Sequence, residues 1–263
     1  MVNVASLINY DIKEEHIAVL TLNRPEAMNA MSKRLLDELN ELVQKINEDN
    51  SIRCTIITAS GEKAFCAGAD LKERKGMTED QVVEAVQYIG RTAANIENMK
   101  MPVIAAINGA AFGGGLELAL ACDIRIAADH VKLGLTETSL AIIPGAGGTQ
   151  RLPRLIGAGQ AKRLIFSAKP ILAEEAFQLG IAEQVATSDD LLQEAIDMVQ
   201  SIVKNGPVAL RQAKLAINKG LQTDITTGLS IEHLCYKETV STDDRLEGLY
   251  AFKEKRKPVY QGK

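Results

Sequence analysis

Tryptophan is absent and histidine scarce: His16, His130 and His233 are the only three in 263 residues, and they stand far apart. Neither a zinc-ligand spacing nor a cysteine–histidine nucleophile pair is spelled out, so no metal site is expected. The four cysteines, Cys54, Cys66, Cys122 and Cys235, form no C-x-x-C pair, and three lie in apolar surroundings. This argues against a dithiol redox motif and for reduced, buried thiols in the cytoplasm. Long apolar runs are missing too. The best candidates, Val103 to Ala111 and Leu116 to Ala121, are broken by Asn108 and Glu117, well short of the roughly 18 residues that cross a bilayer, so no membrane partner is expected. Met1-Val2-Asn3-Val4-Ala5-Ser6 has no basic segment leading into an apolar core, so no export signal is expected. Nor is there an excess of positive charge. A formal net charge of −4 and a pI of about 5.6 do not predict a surface for polyanions.

What is present is a 46% hydrophobic composition, enough for one large domain or a domain plus a subdomain. The first half alternates strands and helices. Ile17-Ala18-Val19-Leu20-Thr21-Leu22 is strand-like and stops at Asn23-Arg24-Pro25. Ser32 caps a helix whose apolar positions Leu35, Leu36, Leu39, Leu42, Val43 and Ile46 recur at helical spacing. Strands follow at Cys54 to Thr58, at Val103 to Ile107 after Pro102, and at Cys122 to Ala127; Thr78 opens a helix towards Met99, and Asn108-Gly109 signals a turn. Strand, helix, strand with short links predicts a layered α/β arrangement with parallel strands. After Pro153 the pattern reads as helices only: Ala161 to Ser167, Ala173 to Leu179, Asp190 to Lys204, Pro207 to Leu221 and Ile225 to Val240, with Gly180, Gly206 and Gly220 where helices should stop. A boundary is expected within 195–206.

The chemistry concentrates in Ala111-Phe112-Gly113-Gly114-Gly115-Leu116-Glu117 and in Glu137, twenty positions on. Glycines running into a helix bring bare N–H groups against a ligand oxygen, and Glu117 follows within a turn. Fixed amides beside a carboxylate suit chemistry on a carbonyl compound, where an oxygen gains charge and a proton must be carried. A phosphate loop would need Gly, four residues, then Gly-Lys, but Gly114 is followed by Gly115. In Pro144-Gly145-Ala146-Gly147-Gly148-Thr149-Gln150, the third glycine of a dinucleotide fingerprint is replaced by Gln150.

These residues resemble the crotonase superfamily, and within it the enoyl-CoA hydratases. The resemblance runs along essentially the whole chain: Asn23-Arg24-Pro25 with Asn29-Ala30-Met31; Lys63 through Leu71; Asn108 through Asp123; Thr136-Glu137 with Ile143 through Leu152; and Arg245 through Arg256. It implies an α/β fold, a spiral of ββα units forming an active-site core over 1–200, with a helical C-terminal trimerisation region over 201–263. It also implies a homo-oligomer, trimer or hexamer, acting on acyl-CoA thioesters without a cofactor, coenzyme A being part of the substrate.

By position, Ala69 and Gly114 match the two residues whose N–H groups hold the thioester oxygen, and Glu117 and Glu137 match the hydratase carboxylate pair. Gly145 matches a glycine beside the water. Lys63, Ala67, Asp70 and Leu71 match coenzyme A contacts, and Tyr236, Phe252 and Lys255 match contacts made to a neighbouring subunit's coenzyme A. Leu135 stands where many mitochondrial short-chain hydratases carry a polar residue. The stretch Leu133 to Pro144, with Leu164 to Ala168 and Gly206 to Leu210, looks more like the methylglutaconyl-CoA hydratase branch of leucine breakdown. The acyl group is thus open between fatty-acid and branched-chain amino-acid breakdown, and an enoyl-CoA isomerase remains the alternative chemistry. Some members of that branch bind AU-rich RNA through a basic first helix. Here Lys33, Arg34 and Lys45 face Asp37, Glu38, Glu41, Glu48 and Asp49 on that helix, so no nucleic acid is expected.

Overall fold

The computed structural model describes residues 6–263; Met1 to Ala5, most of the N-terminal stretch in which no export signal is expected, lie outside the described residues. The chain advances by pairs of strands. β1 (Ile8–Lys13) and β2 (Ile17–Leu22) form an antiparallel hairpin leading to α1 (Lys33–Glu48). β3 (Cys54–Ala59) and β4 (Ala64–Cys66) lead to α2 (Leu71–Arg74) and α3 (Glu79–Glu97). β5 (Val103–Ile107) and β6 (Ala110–Phe112) lead to α4 (Gly114–Leu120). β7 (Ile124–Ala128) and β8 (Lys132–Gly134) lead through a 3-10 turn at Glu137–Leu140 to α5 (Gly148–Ile156). Then come α6 (Ala158–Ser167), β9 (Ile171–Leu172), α7 (Ala173–Leu179), β10 (Gln184–Ala186), α8 (Leu191–Val203), α9 (Pro207–Gly220), α10 (Ile225–Val240) and α11 (Asp243–Glu254).

From β3 onwards the members of each strand pair separate. In the pairs β3/β4, β5/β6 and β7/β8 the first strand joins a six-stranded sheet in the order β1-β2-β3-β5-β7-β10 and the second a four-stranded sheet in the order β4-β6-β8-β9, while the last pair is reversed, β9 going to the small sheet and β10 to the large one. Pairing is parallel from β2 to β10 in the large sheet and from β4 to β8 in the small one. This is a spiral of ββα units, each turn adding one strand to both sheets. A parallel sheet covered on both faces needs continuous apolar strands; accordingly every residue of β3 and β5 is buried. Helices seal the outside. α1 starts where Ser32 Oγ accepts the Leu35 N–H at 3.2 Å, and it buries Leu35, Leu36, Leu39, Val43 and Ile46, each worth about 2 kcal/mol. Thr78 and Gln81 form a reciprocal capping box on α3.

Several sequence expectations need correction. The region after Pro153 is not purely helical: β9 extends the small sheet, and β10 closes the large one beside β7. Strands of two or three residues are too short to show an alternation, and here the sheet edge decides their conformation. Pro153 lies inside α5 rather than before the helices, at the cost of one backbone hydrogen bond. The strand expected at Cys122 starts at Ile124, because Asp123 N–H and carboxylate both bond Val103 at the end of the neighbouring strand. The helix towards Met99 ends at Glu97. The glycines stand at helix ends as expected: Gly180 ends α7 in a left-handed conformation, Gly220 is the last residue of α9, and Gly206 follows the end of α8 and caps the start of α9.

Candidate active site

The motif Asn23-Arg24-Pro25 to Met31 builds the floor. Asn29, buried, donates to the carbonyls of Ser60 and Ala64 at 3.0 and 2.7 Å and accepts the Arg24 N–H at 2.8 Å, tying this turn to the start of β4. Met31 then forms a parallel bridge with Ala69: Met31 N–H donates to Gly68 O, and Asp70 N–H to Met31 O. That pattern uses the groups on either side of Ala69 and turns the Ala69 N–H the other way. Gly114 is the first residue of α4, so its N–H has no acceptor within the helix. A side-chain carbon on Gly114 would lie 3.8 Å from the Ala69 nitrogen. The structure therefore brings the two expected donors side by side, as stabilising one developing oxyanion requires.

The turn between β6 and α4 needs glycine for two reasons. Gly113 has φ +51°, and a side-chain carbon there would come within 2.9 Å of Glu137 Oε1. A side chain on Gly115 would collide with the Cys66 carbonyl of the preceding turn of the spiral.

Glu117 and Glu137 come close enough for the charge of one to act on the other. Glu117, buried, accepts two backbone N–H groups on one oxygen: Ala146 at 2.7 Å and Gly148 at 2.8 Å. Burial raises its pKa, opposed by these two donors and by the charges of Arg151 and Arg74. Among the described residues, no hydrogen bond engages its second oxygen. Glu137, on the 3-10 turn, has one buried oxygen, Oε2, without a hydrogen-bond partner. Burial first, and then the charge of Glu117, push its pKa up to about 7. Burial pushes both carboxyls up, but only Glu117 has backbone donors from another loop and cationic side chains acting against that shift, and two carboxyls in such unlike surroundings can serve as a base and an acid.

The loop carrying Ala146 is pinned by Arg151, which donates to Glu97 on α3 at 3.0 and 2.7 Å and to the Ala146 carbonyl at 3.1 Å. Sequence reasoning misses Arg151, although it follows directly on the glycine cluster it holds. Leu135, buried, packs over Gly148, an apolar wall beside Glu117. Gly145 lies against Val86 of α3, where a side chain would clash, one residue before Ala146, whose N–H bonds Glu117.

The other expected residues divide. Lys63 and Ala67 are exposed around β4, and Leu71 projects from α2. The Asp70 side chain is not open to a ligand: it accepts from Arg24 at 2.6 Å and from the Lys72 N–H at 2.8 Å, capping α2. Tyr236 on α10, and Phe252 and Lys255 on and just after α11, are exposed. Among the described residues, no hydrogen bond or ion pair joins them to the two carboxylates.

Known proteins share this arrangement. The enoyl-CoA hydratase/isomerase family profile matches residues 12–263. A crystal structure of an enoyl-CoA hydratase from Bacillus anthracis superposes with a TM-score of 0.97 at 53% identity, covering 98% of this chain and 100% of that one. The mitochondrial methylglutaconyl-CoA hydratase of Mus musculus is 51% identical over 257 residues, 95% of this chain and 82% of its own length. The crotonyl-CoA hydratase of Syntrophomonas wolfei is 45% identical over 251 residues, 95% of this chain and 96% of its own. With the strand-pair spiral, the paired amides and the two carboxylates in one chain, these matches place it in the enoyl-CoA hydratase/isomerase family.

Proposed function

We propose that this protein is a hydro-lyase, an enoyl-CoA hydratase that adds water across the 2,3 double bond of a 2-enoyl-CoA thioester. The carrying observation is the pair Glu117 and Glu137 converging beside the Ala69 and Gly114 amides. With the thioester oxygen between those amides, electron density is drawn from the double bond and the β-carbon becomes electrophilic; one such donor is typically worth about 3 kcal/mol. Glu117, steadied by Ala146 and Gly148, takes a proton from water as its oxygen bonds to the β-carbon. Glu137, protonated up to about pH 7, gives a proton to the α-carbon. Glu117 then holds the proton that Glu137 has lost, and exchange with solvent resets both.

An isomerase needs a proton taken and returned on the substrate's own carbons, which one carboxylate can do; two carboxylates, with one Glu117 oxygen not engaged by the two backbone donors, favour hydration. The test is crotonyl-CoA, with loss of the conjugated thioester's absorbance and identification of the product by mass. Gain of water supports the reading, whereas an isobaric product sinks it.

In this reading coenzyme A enters with the substrate, and Lys63, Ala67, Leu71 and the Asp70 backbone lie along its path. Residues 207–254 supply the surface for a homotrimer or hexamer, and Tyr236, Phe252 and Lys255 reach a neighbour's site. No helix among the described residues is long and apolar enough to cross a membrane. Four buried free cysteines support a reducing, cytoplasmic location, and the pathway is fatty-acid or branched-chain amino-acid breakdown. Nucleic acid is not among the partners, because the α1 cations are engaged: Lys33 with Asp37, Arg34 with Glu38, and Lys45 over the Tyr10 ring.

A further inference from the structure

We propose that Arg74 makes this site select acyl groups that end in a second carboxylate, and this inference rests on the hydratase reading above. α2 and the turn after it expose Leu71, Lys72, Glu73, Lys75 and Gly76, and Arg74 alone in that run is half-buried. It lines a groove of about 560 Å³ together with Ala69, Met31, Met77, Tyr88 and Ile89. Ala69 supplies one of the two amides for the thioester oxygen, so the groove opens where an acyl chain leaves the reacting carbons, and Arg74 stands along its wall.

The charges around this groove are mostly answered. Lys33 donates to Asp37 at 2.7 Å, and Tyr88 Oη donates to the same carboxylate at 2.6 Å. Asp70 holds Arg24, Glu73 accepts the Lys33 N–H at 2.8 Å, and Arg91 lies 5.5 Å from the Tyr88 ring centre. Glu84, also on the groove, is exposed at its rim. Among the described residues, no hydrogen bond or ion pair engages the Arg74 guanidinium, which burial disfavours and the charge of Glu117 only partly compensates. A guanidinium held in a half-dry groove loses solvation, and its fork geometry fits a carboxylate with two parallel hydrogen bonds. A substrate carboxylate supplies the missing partner. A plain alkyl chain leaves the guanidinium unmet and meets it with apolar carbon. Discrimination built on a buried polar group of this kind is steeper than discrimination by chain length alone.

The experiment compares binding of two saturated, unreactive thioesters, glutaryl-CoA and butyryl-CoA, and turnover of 3-methylglutaconyl-CoA and crotonyl-CoA, for the wild type, Arg74→Met and Arg74→Lys. Wild type should bind glutaryl-CoA more tightly than butyryl-CoA. Arg74→Met should shrink that Kd ratio, and the matching kcat/KM ratio, by roughly 30- to 100-fold, with Arg74→Lys keeping part of both. Absence of any preference in the wild type overturns the proposal, as does a parallel loss for both thioesters in Arg74→Met with the ratio intact. Arg74→Lys keeps the charge if the methionine variant folds poorly. If no enoyl-CoA is hydrated yet the glutaryl-CoA preference depends on Arg74, the hydratase reading fails and the Arg74 assignment stands. Hydration with an Arg74-independent ratio overturns the Arg74 assignment and leaves the hydratase reading in place.

Discussion

At the scale of single residues, the roles proposed for the two carboxylates predict a similar loss of rate but a different response to pH. Glu117→Gln and Glu137→Gln barely change volume but remove proton transfer, so each should lower the hydration rate by at least about 100-fold while an unreactive acyl-CoA still binds within a few-fold. Near-normal turnover in either variant removes that residue from the mechanism. Because Glu137 must be protonated, with a pKa of about 7, hydration should decline as pH rises beyond about 7. The same group has a linkage consequence. An unfolded chain releases this proton near 4.5, the folded one at about 7, so between those values the native state holds a proton that the unfolded state lacks, and stability drains away as pH rises through the window. Glu137→Gln escapes this, and its melting temperature should gain on the wild type between about pH 5 and pH 8; a constant difference would show that burial does not act on the carboxylate. Glu117 was legible in the sequence because glycines opening a helix place the next turn's side chain at a ligand. Glu137 stood out in the sequence only as a second carboxylate twenty positions on, and its pairing with Glu117 came through resemblance, since a 3-10 turn has no period to announce it. Arg74 and Arg151 were not legible as site residues, because nothing in a sequence tells an arginine that turns inward from one that stays in solvent.

At the scale of elements, α3 forms a wall of the site through Val86 and Ile89, which lie against the positions of Gly145 and Gly114. Its first turn depends on the Thr78 and Gln81 capping box. Thr78→Ala should cost about 1 kcal/mol, measured as a lower denaturant midpoint at unchanged slope, and a midpoint equal to the wild type's would show the cap to be idle. Long buried strands and the amphipathic α1 could be read directly, because their burial imposes runs and spacings on the sequence. β4, β6 and β8 could not be read in this way: at three residues each they have too little pattern, and they are strands only because their neighbours are. The site hangs from these three, so its geometry was the part hardest to foresee.

At the scale of the whole molecule, α9, α10 and α11 leave Ile217, Leu221, Leu229, Leu234 and Phe252 exposed, Phe252 at 87%. This is more apolar surface than a chain keeps without a use for it. α9 is fastened to the sheets by Lys214, which donates to Asp123 at 2.7 Å and to the Met101 carbonyl at 3.0 Å. The tail is fastened as well: Arg53 donates to the Tyr260 carbonyl at 2.9 Å, and buried Asp244 accepts the N–H groups of Gln261 and Gly262. A surface so held suits the proposed homo-oligomer. Phe252→Asp should spare the fold of the single chain, shift light scattering towards the monomer and raise the KM for the acyl-CoA together. A variant that stays assembled with an unchanged KM counts against the shared site.

Ala69, Gly114 and Glu137 each follow the short strand of one turn of the spiral, and those strands are adjacent and parallel. Parallel neighbours sit about 4.8 Å apart, so the backbone works as a ruler: one division separates the two amides proposed to flank the thioester oxygen, and the next carries the proposed proton donor. A side chain changed at Ala69 or Glu137 leaves the marks in place, whereas at Gly114 a side-chain carbon would stand 2.5 Å from the end of Met31. A new reaction can therefore be written onto this frame by changing what stands at a mark, whereas inserting a single residue before any of the three would shift one mark against the others and erase the site at a stroke.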